Sequence, residues 1–284
     1  MPQAESWMSD AGGGYRPPTQ LHPEFPHPAR IYDWLLGGKD NFAADREAGA
    51  RLVAADPAMR VAARANRAFL QRAVRHVAEV ERIDQFLDIG TGIPSAGNTH
   101  EIAQGVNPGA RVMYVDNDPI VLTHARALMA GPGHGETRVL QADLREPKRI
   151  TADPGVRELL DFDRPVALLL VAILHFVGDE DDPFAIVAEL LSALAPGSVL
   201  VLSHGTADFL SAEVNERASA IYENSPRNSV TGRSHGAVGR FFDGLDLLEP
   251  GLVTAPLWLP EGPTTDEDTR LPLYAGVGRK PAPA

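Results

Sequence analysis

Asp88-Ile89-Gly90-Thr91-Gly92, followed 24 positions after Gly92 by Asp116, is the part of this chain best suited to holding a nucleotide-like ligand. The apolar residues Phe86-Leu87 run into an acid and then into two glycines one residue apart. Gly90 and Gly92, with Thr91 between them, let the backbone turn tightly and let a ligand approach where a Cβ would collide. Asp116 closes the apolar run Val112-Met113-Tyr114-Val115, where an acid can accept both ribose hydroxyls of a nucleoside. The competing role there is a helix N-cap, which Asn117 or Asp118 supplies equally well. Asn98-Thr99-His100-Glu101 opens a helix whose first N–H groups are free, so Asn98 and His100 either orient a ligand or, for Asn98, cap the helix. Asp143, in Gln141-Ala142-Asp143-Leu144, follows the third apolar run and is otherwise an exposed turn acid. His175 lies beyond the next run, in Ala172-Ile173-Leu174-His175-Phe176, and is a candidate general base or else a packing residue. Asp179-Glu180-Asp181-Asp182 reads as a solvated helix entry, with attraction of a cationic substrate as the alternative. Scattered histidines and one acidic run do not make a metal centre, and no metal is expected.

The elements that must position these residues alternate between strand and helix. Strands are expected at Phe86–Ile89, Arg111–Val115, Arg138–Gln141, Val166–Val171 and Ser198–Ser203, with helices at Asp118–Met129 and Pro183–Leu194. Such alternation implies parallel strands with helices on both faces. Leu168–Val171 and Val199–Leu202 are apolar throughout, as strands covered on both faces must be. Further helices are expected at Phe209–Glu223 and Ala237–Phe242, with a polar loop at Asn224–Ser234 between them. Val253–Leu257 and Leu273–Val277 are expected as a terminal strand pair. Ahead of the sheet, Met59–Arg82 reads as a long amphipathic helix with Leu70, Val74 and Val77 on one stripe and its arginines on a solvated face.

Residues 29–84 form a helical extension in this reading, 85–284 the α/β domain and 1–28 a Pro/Gly-rich tail. Within the extension, Ile31-Tyr32-Asp33-Trp34-Leu35-Leu36-Gly37-Gly38-Lys39-Asp40-Asn41-Phe42 reads in two ways. It is a helix–turn–helix with aromatic core residues and Asp40 or Asn41 as a cap, or it is a lid that brings Tyr32, Gly38 and Lys39 to the ligand. Lys39 is one of only three lysines in the chain.

The chain of 284 residues is 44% hydrophobic, enough for a large α/β core. It has no cysteine, so disulfides, thiolate metal sites and cysteine nucleophiles are excluded. No apolar run reaches the roughly 18 residues needed to cross a membrane, and a cytoplasmic protein without a membrane partner is expected. The net charge of −12, with no Lys/Arg block, argues against a nucleic-acid partner.

Taken together these residues resemble a class I S-adenosylmethionine (SAM) methyltransferase, in which Asp88-x-Gly90-x-Gly92 is the first motif. More narrowly, the chain resembles a bacterial family of predicted SAM methyltransferases. The resemblance rests on residues 31–42 and Asp88–Pro94, on Tyr114-Val115-Asp116-Asn117-Asp118-Pro119, and on the ending Tyr274-Ala275-Gly276-Val277-Gly278-Arg279-Lys280. It covers about residues 28–280. It implies a Rossmann-like, seven-stranded, mostly parallel sheet and SAM as cofactor. It also implies that Asp88 meets the ammonium of the methionine moiety, unless it serves only to bond the loop amides, that Asp143 meets the adenine amine and that the amide beside it, at Leu144, meets a ring nitrogen. Ala172 is expected beside the cofactor, and His175 falls where an acceptor would meet the methyl group. A small-molecule acceptor is expected.

Three rivals share parts of the pattern. A nicotinamide-dependent oxidoreductase wants a third glycine at position 95, where the chain has Ser95, and Pro94 fits poorly with a helix beginning at the second glycine. A SAM-binding regulator without catalysis has the same cofactor half. In aminopropyl transfer from decarboxylated SAM a carboxylate such as Asp88 has no substrate carboxylate beside it, and the acidic run at Asp179 is the one feature that points there.

Overall fold

The computed structural model describes residues 23–121, 123, 135–222 and 230–282. Most of the expected helix after Asp118, the last residue of the expected helix Phe209–Glu223 and residues 224–229 of the expected polar loop lie outside the described residues.

The sheet has the order β3-β2-β1-β4-β5-β8-β6. Its parallel strands are β1 (Gln85–Ile89), β2 (Arg111–Asp116), β3 (Thr137–Gln141), β4 (Ala167–Val171) and β5 (Val199–Gly205). The register runs Phe86 to Val112 and to Ala167, and then Ala167 to Val199. The long β8 (Leu273–Arg279) lies antiparallel to β5, Val201 opposite Val277. This is the mixed α/β, Rossmann-like sheet expected from the alternation. Its seven-strand path carries one addition, because two-residue strands β6 (Asp246–Leu247) and β7 (Val253–Thr254) both pair with β8. The expected strand at Val253–Leu257 therefore stops after two residues and becomes a 3₁₀ turn at Ala255–Leu257. Pro256 has no N–H to give to a ladder, and the turn sends Trp258 inward. That side chain is fully buried, edge-on to Phe69 and His76.

Side chains alternate across the strands. Leu87, Ile89, Met113, Leu168, Leu170 and Leu200 face one core. Phe86, Val112, Tyr114, Ala167, Leu169 and Val201 face the other. Helix α3 (Ala58–Glu79) covers the second face with Phe69, Leu70, Val74 and Val77. Its arginines are not a solvated face throughout. Arg72 donates to the carbonyls of Trp258 and Ala255, and Arg67 to the loop after β1.

Helices α1 (Pro28–Leu36) and α2 (Ala43–Ala55) join α3 around a third apolar cluster holding Ile31, Leu35, Ala48, Leu52 and Ala63. The turn between α1 and α2 is organised by buried Asp33. Its Oδ2 accepts from the backbone N–H of Asp40 at 3.0 Å and from Asn41 Nδ2 at 2.7 Å. A Cβ on Gly38 would sit 1.9 Å from Asp33 Oδ1. Neither Asp40 nor Asn41 caps α2. Phe42 stands at that position, and its N–H donates to Asp45 Oδ2 at 2.8 Å.

Candidate functional site

At the carboxyl ends of β1, β2 and β4 the chain leaves a cavity of about 270 Å³. Ligands of open α/β sheets bind at this edge. The turn after β1 forms one wall. Gly90 has φ 77° and Gly92 φ 67°, values that favour glycine. A Cβ on Gly90 would lie 2.6 Å from Ile173, whereas a Cβ on Gly92 would meet nothing within 4 Å. Gly90 is therefore required by packing, and Gly92 leaves open space beside the cavity.

Asp116 holds this loop. Its Oδ2 accepts from Gly92 N–H at 2.9 Å and its Oδ1 from Asp118 N–H at 2.9 Å. Burial pushes its carboxyl up to about 6, against the bonds from those amides. Asp88 is equally buried, and burial pushes it up to about 6 while Thr99 Oγ1 donates to it at 2.6 Å. Neither makes an ion pair among the described residues, and a ligand with hydroxyl or ammonium donors would offset their burial.

Helix α4 (Thr99–Val106) starts beside them. Glu101 accepts from the backbone N–H of Gly97 and Asn98, and the Asn98 side chain accepts from Ser95 N–H at 3.0 Å. Asn98 thus lines the cavity as a loop-closing residue. Arg67 Nη2 donates to Asn98 Oδ1 at 2.9 Å and to Ser95 O at 3.0 Å. Its Nε is buried without a partner among the described residues.

Thr91, Asn117, Asp143, Leu144, Ala172, His175 and Tyr32 also line the cavity, where the sequence places them. Asp143 is already engaged, because Arg145 donates to it from the backbone at 3.0 Å and from its side chain at 3.3 Å. The Tyr32 hydroxyl donates to Ala63 O at 3.0 Å and accepts from Asn66 Nδ2 at 2.9 Å, so it anchors α1 to α3. Ala172 has φ 56°, and its N–H donates to Ser203.

Three expected residues stand elsewhere. His100 is turned onto Tyr114, with its N–H 2.9 Å and its Nδ1 2.8 Å from the phenol oxygen. Gly38 and Lys39 do not line the cavity, because the Asp33 turn folds them away from it. The face of α1 that does line it carries Pro28, Ala29, Tyr32 and Leu35, with His27 just ahead of the helix. His27 Nδ1 lies 3.2 Å from Asp118 Oδ2, joining the start of α1 to the turn after β2.

His175 takes a different chemical role from the one expected. The N–H of Gly205 donates to its Nδ1 at 3.3 Å, which leaves the ring proton of the neutral form on Nε2. Burial, with the Arg233 guanidinium nearby, pushes it down to about 4. At neutral pH it is an uncharged donor and a weak base. The acidic run is also not simply solvated. Asp179 takes Arg233 at 2.6 Å, Asp181 takes Arg145 at 2.6 Å, and Asp182 caps α7 (Pro183–Ser192).

Sequence reasoning missed Arg67, Thr99, Asn66 and His27. Arg67 lay among the arginines assigned to solvent, yet it is three and seven residues ahead of Leu70 and Val74. The apolar stripe extended by one turn would have placed it inward. His27 caps α1 locally, through Ala29 N–H, but Asp118 is 91 residues away from it, and Asn66 bonds Tyr32 and Ser203, 34 and 137 residues away.

Among the described residues no cluster of His, Asp and Glu could hold a metal, and no helix is long and apolar enough to cross a membrane. The sequence model of a family described as S-adenosyl methyltransferase matches residues 15–281. A DUF574 family protein from Streptomyces avermitilis MA-4680 is 47% identical, with a TM-score of 0.86 over 91% of this chain and 99% of that one. A candidate methyltransferase from Thermobifida fusca YX is 41% identical, with a TM-score of 0.86 over 94% and 99%. The N-methyltransferase NodS from Bradyrhizobium japonicum WM9, in complex with S-adenosyl-L-homocysteine, is 14% identical and shares the fold, at a TM-score of 0.50 over 89% and 100%. No curated protein matches the chain.

Proposed function

The chain belongs to the S-adenosyl methyltransferase family, with SAM as its cofactor, and we propose that it transfers the methyl group to a small molecule held in the same cavity. The observation that carries this reading is the pair of buried carboxylates, Asp88 and Asp116, at the mouth of a glycine turn whose Gly92 faces open space. A nucleoside with a cationic tail fits that donor deficit.

In this assignment Asp116 takes the ribose hydroxyls while its amide bonds keep Gly92 in place. Asp88, steadied by Thr99, takes the ammonium of the methionine moiety. Arg67, whose side chain lines the cavity, takes the carboxylate, and its Nη2 bonds fix it against the loop. The amide of Leu144 serves an adenine ring nitrogen, and Asp143 serves the exocyclic amine while shared with Arg145. When bound, SAM supplies a methyl group already activated on a sulfonium centre. The protein's part is to hold the acceptor in line and exclude water, and such orientation contributes roughly 7–11 kcal/mol. His175 orients the acceptor by donating from Nε2. Residues 29–84 act as a helical cover on the domain of residues 85–284, and the start of α1, rather than the Gly37-Gly38 turn, forms its rim.

The test is calorimetric titration of the protein with SAM, S-adenosylhomocysteine and NAD(H), alongside Asp116→Ala. Saturable binding of S-adenosylhomocysteine that disappears in the variant is expected. Binding of NAD(H) alone would overturn the reading.

A further inference from the structure

The cavity has two chemically different halves. The charged side chains lining it, among the described residues, are Arg67, Asp88, Asp116, Asp143 and Arg145. Every one is tied to the sheet's carboxyl edge. Asp88 ends β1 and Asp116 ends β2, Asp143 and Arg145 follow β3, and Arg67 is bonded to the loop after β1. The opposite half is built by α1, α2, α3, α8 (Ala212–Tyr222) and the chain at Val230. There Leu35, Leu52, Ala63, Phe176, Ala218 and Val230 line the space, and all of them belong to the third apolar cluster.

The polar groups of this second half are neutral, and those toward α1 and α3 are already paired. The Tyr32 hydroxyl is committed to Ala63 O and Asn66, and Asn66 Oδ1 accepts from Ser203 Oγ at 2.5 Å. His175 is held uncharged, and its Nε2 has no protein partner among the described residues. A chamber with largely apolar walls, no counter-ion and only neutral polar groups, those of His175, Asn215 and Ser219, discriminates by charge. An ion brought into it loses its hydration and gains no partner, a cost of several kcal/mol or more. An apolar body gains by leaving water.

Resting on the methyltransferase reading, we propose that the acceptor is an uncharged, largely apolar small molecule. Its apolar body lies against Leu35, Leu52 and Ala218, and its uncharged polar end meets the neutral groups of His175, Asn215 and Ser219. Charged metabolites, peptides and nucleotides are poor occupants of this chamber.

The test uses three probes of one shape that differ in charge at pH 7: 2-naphthol, 2-naphthoate and 2-naphthylmethylammonium. Each is titrated into protein saturated with S-adenosylhomocysteine. We expect 2-naphthol to bind at least tenfold more tightly than either ion. Ala218→Phe, which fills the chamber from α8, should weaken 2-naphthol at least tenfold while S-adenosylhomocysteine still binds, and that retained binding reports an intact fold. Equal or tighter binding of either ion would overturn the proposal, as would the absence of 2-naphthol binding to the saturated protein. If S-adenosylhomocysteine itself fails to bind the native chain, the methyltransferase reading falls first and the acceptor proposal with it.

Discussion

The sheet edge and the helical cover enclose one cavity with opposite means. On the sheet edge, carboxylates are buried without an ion-pair partner among the described residues, and the Gly92 amide is spent holding Asp116. On the helical side, hydroxyl and amide groups are paired with one another and the wall facing the cavity is apolar. The first arrangement stores electrostatic demand that only a matching ligand relieves. The second stores none and selects by shape and by the cost of dehydration. A cofactor common to many reactions can be recognised by the first device, while the identity of an acceptor is left to the second.

The comparison breaks most readily at Asp116. Asp116→Ala removes the proposed acceptor for two ribose hydroxyls and frees the Gly92 amide. With hydrogen bonds to charged groups worth about 1.5–3 kcal/mol each, S-adenosylhomocysteine affinity should fall on the order of a hundredfold or more. A loss of less than threefold by calorimetry would mean that the sheet edge is not the cofactor half.

Arg67→Ala comes next. It removes one charge-assisted contact of the same size, so a roughly tenfold loss or more is expected. Circular dichroism should show an unchanged fold, because α3 keeps its apolar stripe. Unchanged affinity would return Arg67 to a purely structural place.

The pH dependence separates the two halves. Asp88 and Asp116 are both raised to about 6. Each is mostly ionised at pH 7.5 and only about a tenth ionised at pH 5, so affinity should drop about tenfold per carboxylate over that range. Near pH 6 binding should release protons, visible as a dependence of the calorimetric heat on buffer ionisation. For the ligand-free protein the sign is reversed. Because the folded values lie above the unfolded ones, burying these carboxylates ionised costs stability above pH 6, and the cost is relieved as pH falls through 6. The gain in Tm on adding S-adenosylhomocysteine should therefore shrink between pH 7.5 and pH 5. The neutral chamber on the helical side predicts no such slope for 2-naphthol.

The smallest effect belongs to Lys39→Ala. The Asp33 turn keeps Lys39 off the cavity, so S-adenosylhomocysteine affinity should stay within twofold of the native value. A tenfold loss would show that the turn swings in when ligand binds.

What could be read from the chain without its structure was whatever depends on short stretches. Continuous apolar runs located the parallel strands, because a strand covered on both faces must be apolar throughout. The turn at Gly90 and Gly92 was legible because positive φ demands glycine there, and Asp116 because the end of β2 fixes it beside that turn. The strand at Val253–Leu257 was misjudged because burial of Trp258 outweighed local β-propensity. His100 and the Gly38-Lys39 turn were misplaced because their partners, Tyr114 and Asp33, compete for them in three dimensions. Only the tertiary structure brought Arg67 to the loop after β1, left the Nε2 of His175 as a donor, and laid the start of α1 across the cavity. It also closed four helical segments around a chamber without charge. Local sequence carries backbone preference and burial period, whereas the charge and shape of a cavity are sums over residues far apart in the chain.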